Sequence, residues 1–242
     1  LLNYPSYVDS YKAKMKYEDF LNYSFDVMNV DYSKMSKDIE PLKKLMDKTK
    51  KVRIIGKGTD ITFSIKGMKS IPCTGESNIP DGEIFTCPVR DSVNGVIKYN
   101  TTSTYNGEVF SNIRLEFING KIIDATCDDE SKNEKLNKIF DTDEGSRYVG
   151  EFSLGLNPKI LIPMGDILFD EKIFGSIHFT PGAAYKECYN GNDSNIHWDL
   201  VLIQRTEYGG GEIYFDDVLI RKDGLFVLPE LRHLNYYLDT VK

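Results

Sequence analysis

The chain has 242 residues, of which 40% are hydrophobic and 12% aromatic, enough to bury a core in one large domain or in a domain with an appendage. A formal net charge of −7 and the lack of a basic stripe argue against a nucleic-acid partner. The sequence has no apolar run long enough to span a bilayer and no signal-peptide pattern, so we expect a cytoplasmic protein without a membrane partner. The four cysteines form no CxxC pair and are expected to be free thiols.

Residues 1–50 are predicted to be helical, because Leu42, Leu45 and Met46 form an i, i+3, i+4 apolar stripe. From Val52 the apolar period changes to the alternation that is typical of strands, and it continues to about residue 125. Strands are predicted over 83–89, 95–101, 109–118 and 121–125, with a hairpin turn at 119–120.

A second helix is predicted over residues 129–140, with Leu136, Ile139 and Phe140 on one face. After residue 148 the chain returns to strands and glycine-rich loops, and it ends in a β-meander around Asp216 and Asp217. These patterns together predict an α+β fold with a largely antiparallel sheet, in which a helical lead-in over 1–50 precedes a domain over 51–242.

The segment His197-Trp198-Asp199 precedes the apolar run 200–203 and is predicted to be a strand. Residues two apart in a strand share a face, so His197 and Asp199 would point to the same place, with Trp198 on the other side. An imidazole beside a carboxylate is half of a metal site, although a lone histidine at a strand end is more often structural. Trp198 is interpreted as packing that anchors this segment.

Three other segments carry a carboxylate or an imidazole at a strand end or in a glycine-rich loop. Glu83 begins an apolar strand, Glu151 lies between Gly150 and Gly155, and His178 precedes a loop of small residues. Each alone favours a structural role. Together with His197 and Asp199 they supply two imidazoles and three carboxylates, the mixed set that two divalent ions about 3.5–4 Å apart require. Imidazole with carboxylate suits Zn, Co or Mn.

In content and in order, these segments resemble the M29 family of metalloaminopeptidases. The matching elements are N-I-P-x-x-E-I-F-T at 78–86, G-E-F-x-L-G-x-N at 150–157, a histidine with a tyrosine seven residues later at 178 and 185, I-H-W-D at 196–199, and G-E-I-Y-x-D-x-x-L-I-x-K-D-G-x-F at 211–226. Residues 58–63 also resemble a family segment. The resemblance covers essentially the whole chain, and it implies that the family's amino-terminal domain lies outside this sequence.

The resemblance implies an aminopeptidase that holds two divalent metal ions (Zn, Co or Mn, with Mg possible) and takes peptide substrates with a free N-terminus. It makes 51–242 the metal-binding catalytic domain and implies a homodimer. The implied metal ligands are Glu83, Glu151, His178, His197 and Asp199. Tyr185 would be a catalytic residue that binds no metal, and Glu83 or Glu151 would carry the proton to the leaving amine.

Two other readings stay open at this point. One is a non-catalytic module that dimerises and binds metal without turnover, and the other is a different metal hydrolase such as an amidase. The chain departs from the family in the loop Phe179-Thr180-Pro181-Gly182 and in the short segment between Tyr185 and His197. Neither departure is expected to touch a ligand. His233 matches no motif and is expected to be structural or on the surface, and Cys188 is expected to be a neutral filler.

Overall fold

Helices come first in the chain and antiparallel strands follow, as seen in a computed structural model that describes residues 1–236. The helices are α1 (Tyr7–Lys12), α2 (Tyr17–Met28), α3 (Tyr32–Asp38), α4 (Glu40–Met46), α5 (Asn133–Phe140) and α6 (Ile167–Asp170). Short 3₁₀ helices cover Glu130–Lys132, Gly145–Arg147, Lys186–Cys188, Thr206–Tyr208 and Pro229–Leu234. The α+β class, the helical lead-in and the additional helix near 129–140 are therefore confirmed.

Fifteen strands form three sheets in the described part of the chain. They are β1 (Lys51–Gly56), β2 (Thr59–Ser64), β3 (Ile71–Cys73), β4 (Glu83–Thr86), β5 (Asn94–Lys98), β6 (Thr102–Tyr105), β7 (Glu108–Ser111), β8 (Arg114–Ile118), β9 (Lys121–Thr126), β10 (Val149–Gly155), β11 (Ser176–Pro181), β12 (Val201–Ile203), β13 (Gly211–Phe215), β14 (Val218–Lys222) and β15 (Leu225–Phe226). The orders are β15-β14-β13-β1-β2-β5-β8-β9, β12-β11-β10-β4-β3 and β6-β7. Every paired strand is antiparallel to its neighbour, as the sequence predicts.

The N-terminal helices pack on the strands through two apolar clusters. Leu42 and Met46 of α4 join the main core, and Phe20 and Val27 of α2 pack in a second cluster with Phe169 of α6. Each fully buried side chain of this size contributes about 1.5–3 kcal/mol. The helical segment therefore shares its cores with the sheets, and a domain boundary at residue 50 stays a prediction.

The eight-stranded sheet covers one face of the five-stranded sheet. Phe63 of β2 lies 5.0 Å from both Phe152 of β10 and Phe179 of β11, measured between ring centroids. Since side chains alternate along a strand, the residues beside Phe152 and Phe179 must point to the opposite face. Glu151 and His178 are such neighbours, so the packing of the core dictates that both face away from it.

Some predicted strands differ from the structure. The predicted strand 109–118 is broken into β7 and β8 at Asn112, which has a φ of 50° and turns the chain into another sheet. The strand that starts at Glu83 ends at Thr86 rather than at 89. The hairpin at Asn119–Gly120 is confirmed, with Ile118 opposite Lys121, and so is the meander β13–β14–β15. Among the described residues, no helix is long and apolar enough to cross a bilayer.

Candidate metal centre

Three of the predicted ligands lie on adjacent strands of the five-stranded sheet. Glu83 is on β4, Glu151 on β10 and His178 on β11, and all three are buried. His178 Nε2 lies 2.9 Å from Glu151 Oε1 and 3.4 Å from Glu83 Oε2. The antiparallel order β11-β10-β4 thus brings together residues that are far apart in sequence.

His197 and Asp199 complete the cluster, but they do not lie in a strand. His197 makes one isolated bridge with Gly182, and regular pairing resumes only at Val201 in β12. The predicted strand is wrong here because Pro181, the end of β11, has no N–H to continue the ladder. The two side chains nevertheless meet, with His197 Nε2 at 3.2 Å from Asp199 Oδ1.

Glu151 is shared by two sets of three side chains. The inner group is Glu83, Glu151 and His178, and the outer group is Glu151, His197 and Asp199. Within each group the ligand atoms lie within 4.8 Å of one another. One oxygen of Glu151 faces His178, and the other lies 3.3 Å from His197 Nε2. A carboxylate that serves two neighbouring groups is the arrangement that a pair of divalent ions needs.

Both imidazoles are oriented by backbone carbonyls. His178 Nδ1 lies 3.1 Å from the carbonyl oxygen of Glu171, and His197 Nδ1 lies 2.8 Å from that of Ala183. With Nδ1–H donating to a carbonyl, the neutral form of each imidazole would carry its lone pair on Nε2, on the side of the carboxylates, as in metal-ligating histidines. The Nε2 of His197 is buried and, despite its nearby carboxylates, has no hydrogen-bond partner within residues 1–236. The residues present therefore fit divalent metal ions.

Two hydroxyl groups orient the carboxylates. Ser153 Oγ donates to Glu83 Oε2 at 2.9 Å, and Thr180 Oγ1 donates to Asp199 Oδ1 at 2.7 Å. Thr180 belongs to the segment 179–182, in which this chain departs from the family, and the loop expected there is part of strand β11 as far as Pro181. The expectation that this departure touches no predicted ligand is therefore wrong, because the backbone path after His178 carries the threonine hydroxyl to Asp199.

Close backbone contacts hold the loop that supports His197. A Cβ on Gly150 would lie 2.2 Å from the carbonyl oxygen of Ala183, and a Cβ on Gly182 would lie 2.1 Å from that of Ile196. Gly182 also has a φ of +112°, which favours glycine. The close approach of Gly150 fixes the Ala183 carbonyl that accepts from His197.

Trp198 packs into the core on the side away from the carboxylates. Its ring lies 4.8 Å from that of Tyr105 and 5.7 Å from those of Phe110 and Phe140, and its indole N–H donates to Ser103 Oγ. The interpretation of Trp198 as anchoring packing is consistent with these contacts. His233 lies apart from the cluster, exposed, with its Nε2 2.7 Å from the Asp38 carbonyl oxygen.

Two ionisable residues beside the inner group, Glu171 and Lys172, are identified by no sequence motif. Lys172 is fully buried, with its ammonium 3.6 Å from Glu83 Oε1 and in contact with the Glu171 carboxylate. Burial alone would lower the pKa of Lys172, but Glu83 and Glu171 outweigh it and raise the pKa, so the ammonium stays charged. Burial raises the pKa of Glu171 to about 8. The triplet 170–172 resembles a solvated charge run, and the apolar residues on both sides were the signal of its burial.

Replacing Lys172 by methionine is expected to destabilise the metal-free protein by about 3–5 kcal/mol, because buried carboxylates lose their counter-charge. Added divalent metal should then raise the melting temperature more than it does in the wild type. Chemical unfolding with and without metal measures both effects. Lys37→Met, at an exposed helix position, is the matched control and should stay within about 0.5 kcal/mol. A wild-type free energy of unfolding for Lys172→Met would contradict this role.

Both histidines are protonated when no metal is bound. Burial alone would lower the pKa of His178, but Glu83 and Glu151 outweigh it and raise the pKa to about 10. Burial would also lower the pKa of His197, but Asp199 and Glu151 outweigh it and raise the pKa to about 11. These pKa values exceed the usual value of about 6.5, so the ion pairs of both imidazoles stabilise the folded, metal-free chain. This contribution to the free energy of unfolding is complete below about pH 6.5 and is lost as the pH rises through 10–11.

Metal binding is therefore expected to release protons, since a metal takes the neutral imidazole. At pH 7.5 about two protons should leave per chain when both groups fill, and the apparent metal affinity should rise with pH. Calorimetric titration in two buffers of different ionisation enthalpy measures the release. His197→Asn should reduce it to about one. Metal binding without net proton release would refute the charged state of the imidazoles.

Tyr185 lies in the mouth of the site without joining either group. Its ring centroid is 4.7 Å from that of His197 and 5.5 Å from that of Phe85, and the side chain is half-exposed. Partial burial and the charge of Glu151 raise the pKa of Tyr185, so its hydroxyl stays protonated and can donate a hydrogen bond. This state is the one that stabilisation of an oxyanion requires.

A cleft of about 340 Å³, called the main cleft because residues of both metal groups line it, opens onto these residues. Ile71, Pro72 and Phe85 form an apolar wall. The lining of the main cleft also carries seven carboxylates and, among the described residues, no basic side chain. The carboxylates belong to Glu76, Asp81, Glu83, Glu151, Glu171, Glu187 and Asp199. Such a cleft attracts cations, including a protonated amine.

The family of this chain is identified by its similarity to known proteins. The family described as thermophilic metalloprotease (M29) matches residues 8–224. The chain belongs to the M29 family. Aminopeptidase AmpS of Bacillus subtilis is 33% identical to this M29 chain over 156 residues, which cover 60% of this chain and 37% of the relative. Aminopeptidase T of Thermus aquaticus is 35% identical over 158 residues, covering 59% and 36%. The match thus spans little more than a third of each relative.

Solved structures share the fold of this M29 chain. Wild-type AmpT from Thermus thermophilus superposes with a TM-score of 0.74 at 22% identity, covering 88% of this chain and 59% of that one. A 2,5-dihydroxypyridine dioxygenase from Pseudomonas putida KT2440 superposes with a TM-score of 0.70 at 18% identity, covering 88% and 64%. Identities this low establish the fold alone. Because the second protein is named a dioxygenase, function has to be argued from the site.

Proposed function

We propose that this M29 chain is a metal-dependent aminopeptidase that hydrolyses the N-terminal bond of peptides with two divalent metal ions. The observation that carries the proposal is the position of Glu151, whose two oxygens face His178 in the inner group and His197 in the outer group. Imidazole with carboxylate favours Zn, Co or Mn, with Mg possible. The names of the B. subtilis and T. aquaticus relatives support the aminopeptidase reaction.

The chain's own residues divide the work of peptide hydrolysis. Bound in the two groups, divalent ions would lower the pKa of water and polarise the scissile carbonyl. The Tyr185 hydroxyl would donate a hydrogen bond to the oxyanion that develops on that carbonyl. Glu83 or Glu151 would pass the proton to the leaving amine. Ser153 and Thr180 would hold the carboxylates of Glu83 and Asp199 in place.

The charge of the main cleft supports removal of the first residue rather than internal cleavage. A peptide with a free N-terminus carries a protonated amine, which the carboxylates of the cleft outside the ligand set, those of Glu76, Asp81 and Glu187, attract. An acylated N-terminus lacks that charge. The apolar wall at Ile71, Pro72 and Phe85 would contact the first side chain. A cytoplasmic location and a homodimer remain predictions.

A panel of matched substrates tests the proposal. The metal-loaded chain should hydrolyse a leucyl peptide with a free amine and leave its N-acetylated form intact. Equal hydrolysis of both forms would identify an amidase, and bound metal with no turnover of any substrate would identify a non-catalytic module. His178→Ala should abolish turnover, and His233→Ala, which removes the exposed histidine, is the matched control and should retain it.

A further inference from the structure

A second cleft, the β6 cleft, borders the metal centre at His197 and Asp199. It has a volume of about 400 Å³ and is lined by the four residues of β6 (102–105), the turn at 165–167 and the segment 197–199. Asp199 lines both this cleft and the main cleft. The two clefts therefore meet at the candidate metal centre, where a peptide bond would be cut.

The β6 cleft runs along the edge of a strand. Four consecutive residues line it, whereas a cleft over a face of the strand would be lined by alternate residues. β6 pairs with β7 in a two-stranded sheet and with no other strand of the described chain. An unpaired strand edge offers its N–H and C=O groups to an extended peptide.

The hairpin register tells which groups lie on the free edge. Tyr105 and Glu108 flank the two-residue turn at 106–107, whose φ values are 49° and 81°. In such a hairpin the flanking pair exchanges hydrogen bonds, and the pattern alternates along the strands. The N–H and C=O of Ser103 and Tyr105 thus point to β7, and those of Thr102 and Thr104 point to the open edge.

β6 is held directly beside the metal centre. Ser103 Oγ accepts the hydrogen bond from the indole N–H of Trp198 at 2.8 Å, and the Tyr105 ring packs on the same indole. Trp198 follows His197 of the outer group in the chain. An extended peptide advances about 3.3 Å per residue. A substrate cut at the metal centre would therefore reach the edge of β6 within two or three residues of the scissile bond.

The two clefts differ in charge in the way that a peptide's two directions require. The main cleft is uniformly acidic and suits the α-ammonium. The β6 cleft is less acidic, since its lining holds Lys12 beside three carboxylates, those of Asp166, Asp170 and Asp199. Backbone N–H groups of Leu168 and Met164 donate to Asp166 and Asp170 and stabilise their charge. The β6 cleft is therefore the better place for the chain that continues towards a C-terminal carboxylate.

We propose that the open edge of β6 binds the leaving part of the substrate, as an added strand hydrogen-bonded to Thr102 and Thr104. The inference rests on the proposed aminopeptidase function and names its substrate class. The preferred substrates are peptides with three or more residues beyond the scissile bond, and dipeptides are poor substrates because they cannot reach the edge.

Kinetics with peptides of different length test this inference. The kcat/KM for a leucyl tetrapeptide should exceed that for the matching dipeptide by about tenfold, the value of one or two net hydrogen bonds. Thr104→Pro removes the N–H on the open edge, where a strand tolerates proline, and should bring this ratio close to one. Thr104→Val keeps the N–H and should keep the ratio. Each ratio compares two substrates on one preparation, so it does not depend on the folded fraction.

A binding measurement keeps the inference testable without turnover. Trp198 is the single tryptophan of the chain and lines the β6 cleft, so its emission reports what occupies that cleft. Peptide analogues in which the first amide is reduced to CH₂–NH cannot be hydrolysed. The tetrapeptide analogue should change the emission and bind about tenfold more tightly than the dipeptide analogue.

Equal affinities of the two analogues with unchanged emission would overturn the inference. An emission change that depends on protein concentration in the absence of peptide would also overturn it, because a second copy of the chain would then occupy the cleft. Length-dependent binding without any turnover would refute the proposed function and leave the inference standing. Turnover without length dependence would refute the inference and leave the proposed function standing.

Discussion

Glu151→Gln is expected to lose both metal ions together and to lower the rate of peptide hydrolysis by more than about a hundredfold. Loss of a residue that only supports a metal ligand costs up to about a hundredfold, and loss of the ligand itself should cost more. Both ions should be lost because Glu151 belongs to the inner and the outer group at once. Asp199→Asn should instead lose the ion of the outer group and keep that of the inner group, where Asp199 takes no part. Metal analysis of the purified variants, with kcat/KM for a leucyl peptide, measures both results.

The matched control for Glu151→Gln is Glu134→Gln, on the exposed face of α5. It makes the same chemical change away from the site and should keep wild-type metal content and activity. If Glu151→Gln retained one tightly bound ion, the carboxylate would not be shared. If it retained activity in a metal-replete assay, Glu151 would be removed from the mechanism.

Tyr185→Phe is expected to lower kcat by about 10²–10³-fold, as loss of one oxyanion donor does elsewhere, with metal content unchanged. The hydroxyl stays protonated because burial and the charge of Glu151 raise the pKa of Tyr185, and the ring contacts His197 without joining either group. A donor that acts on the developing oxyanion should leave KM nearly unaffected. Steady-state kinetics and metal analysis on one preparation separate the two quantities.

Tyr189→Phe is the matched control, because Tyr189 lies four residues further along and its exposed hydroxyl donates to Asp193. It should turn over peptides at the wild-type rate. A wild-type kcat for Tyr185→Phe would exclude the hydroxyl from the reaction. A loss of bound metal in Tyr185→Phe would mean that the tyrosine supports the metal groups instead.

Much of the fold is predictable because its signals are local. The Asn119–Gly120 turn, with positive φ at both residues, fixes the register of β8 and β9, and the apolar period identifies α5. The break at Asn112 is not predictable in this way, because the flanking residues keep the alternation of a strand while the chain changes sheet. Local alternation describes a strand but not the sheet that it joins.

The residues of the two metal groups were predictable from the sequence, but the residues that contact them were not. Glu83, Glu151, His178 and His197 lie in four separate segments, and only their order along the chain suggested one site. The structure brings these side chains together with Asp199, and their roles as ligands remain predictions.

The residues around the site depend on long-range packing, which no local pattern encodes. Lys172 is buried beside Glu83, and Thr180 reaches Asp199, only because β11 pairs between β10 and β12. The strand predicted at 197–199 fails for a similar reason, since its partner residue Pro181 is known only once the sheet has formed.

Metal titration of the metal-free chain, with bound ions and aminopeptidase activity followed in the same samples, determines whether peptide hydrolysis needs an ion in both metal groups. With Zn, Co or Mn, we expect two ions per chain, and activity towards a free leucyl peptide that becomes maximal only as the second ion binds. Full activity with one ion per chain, or activity with none, would contradict two metal groups that share Glu151.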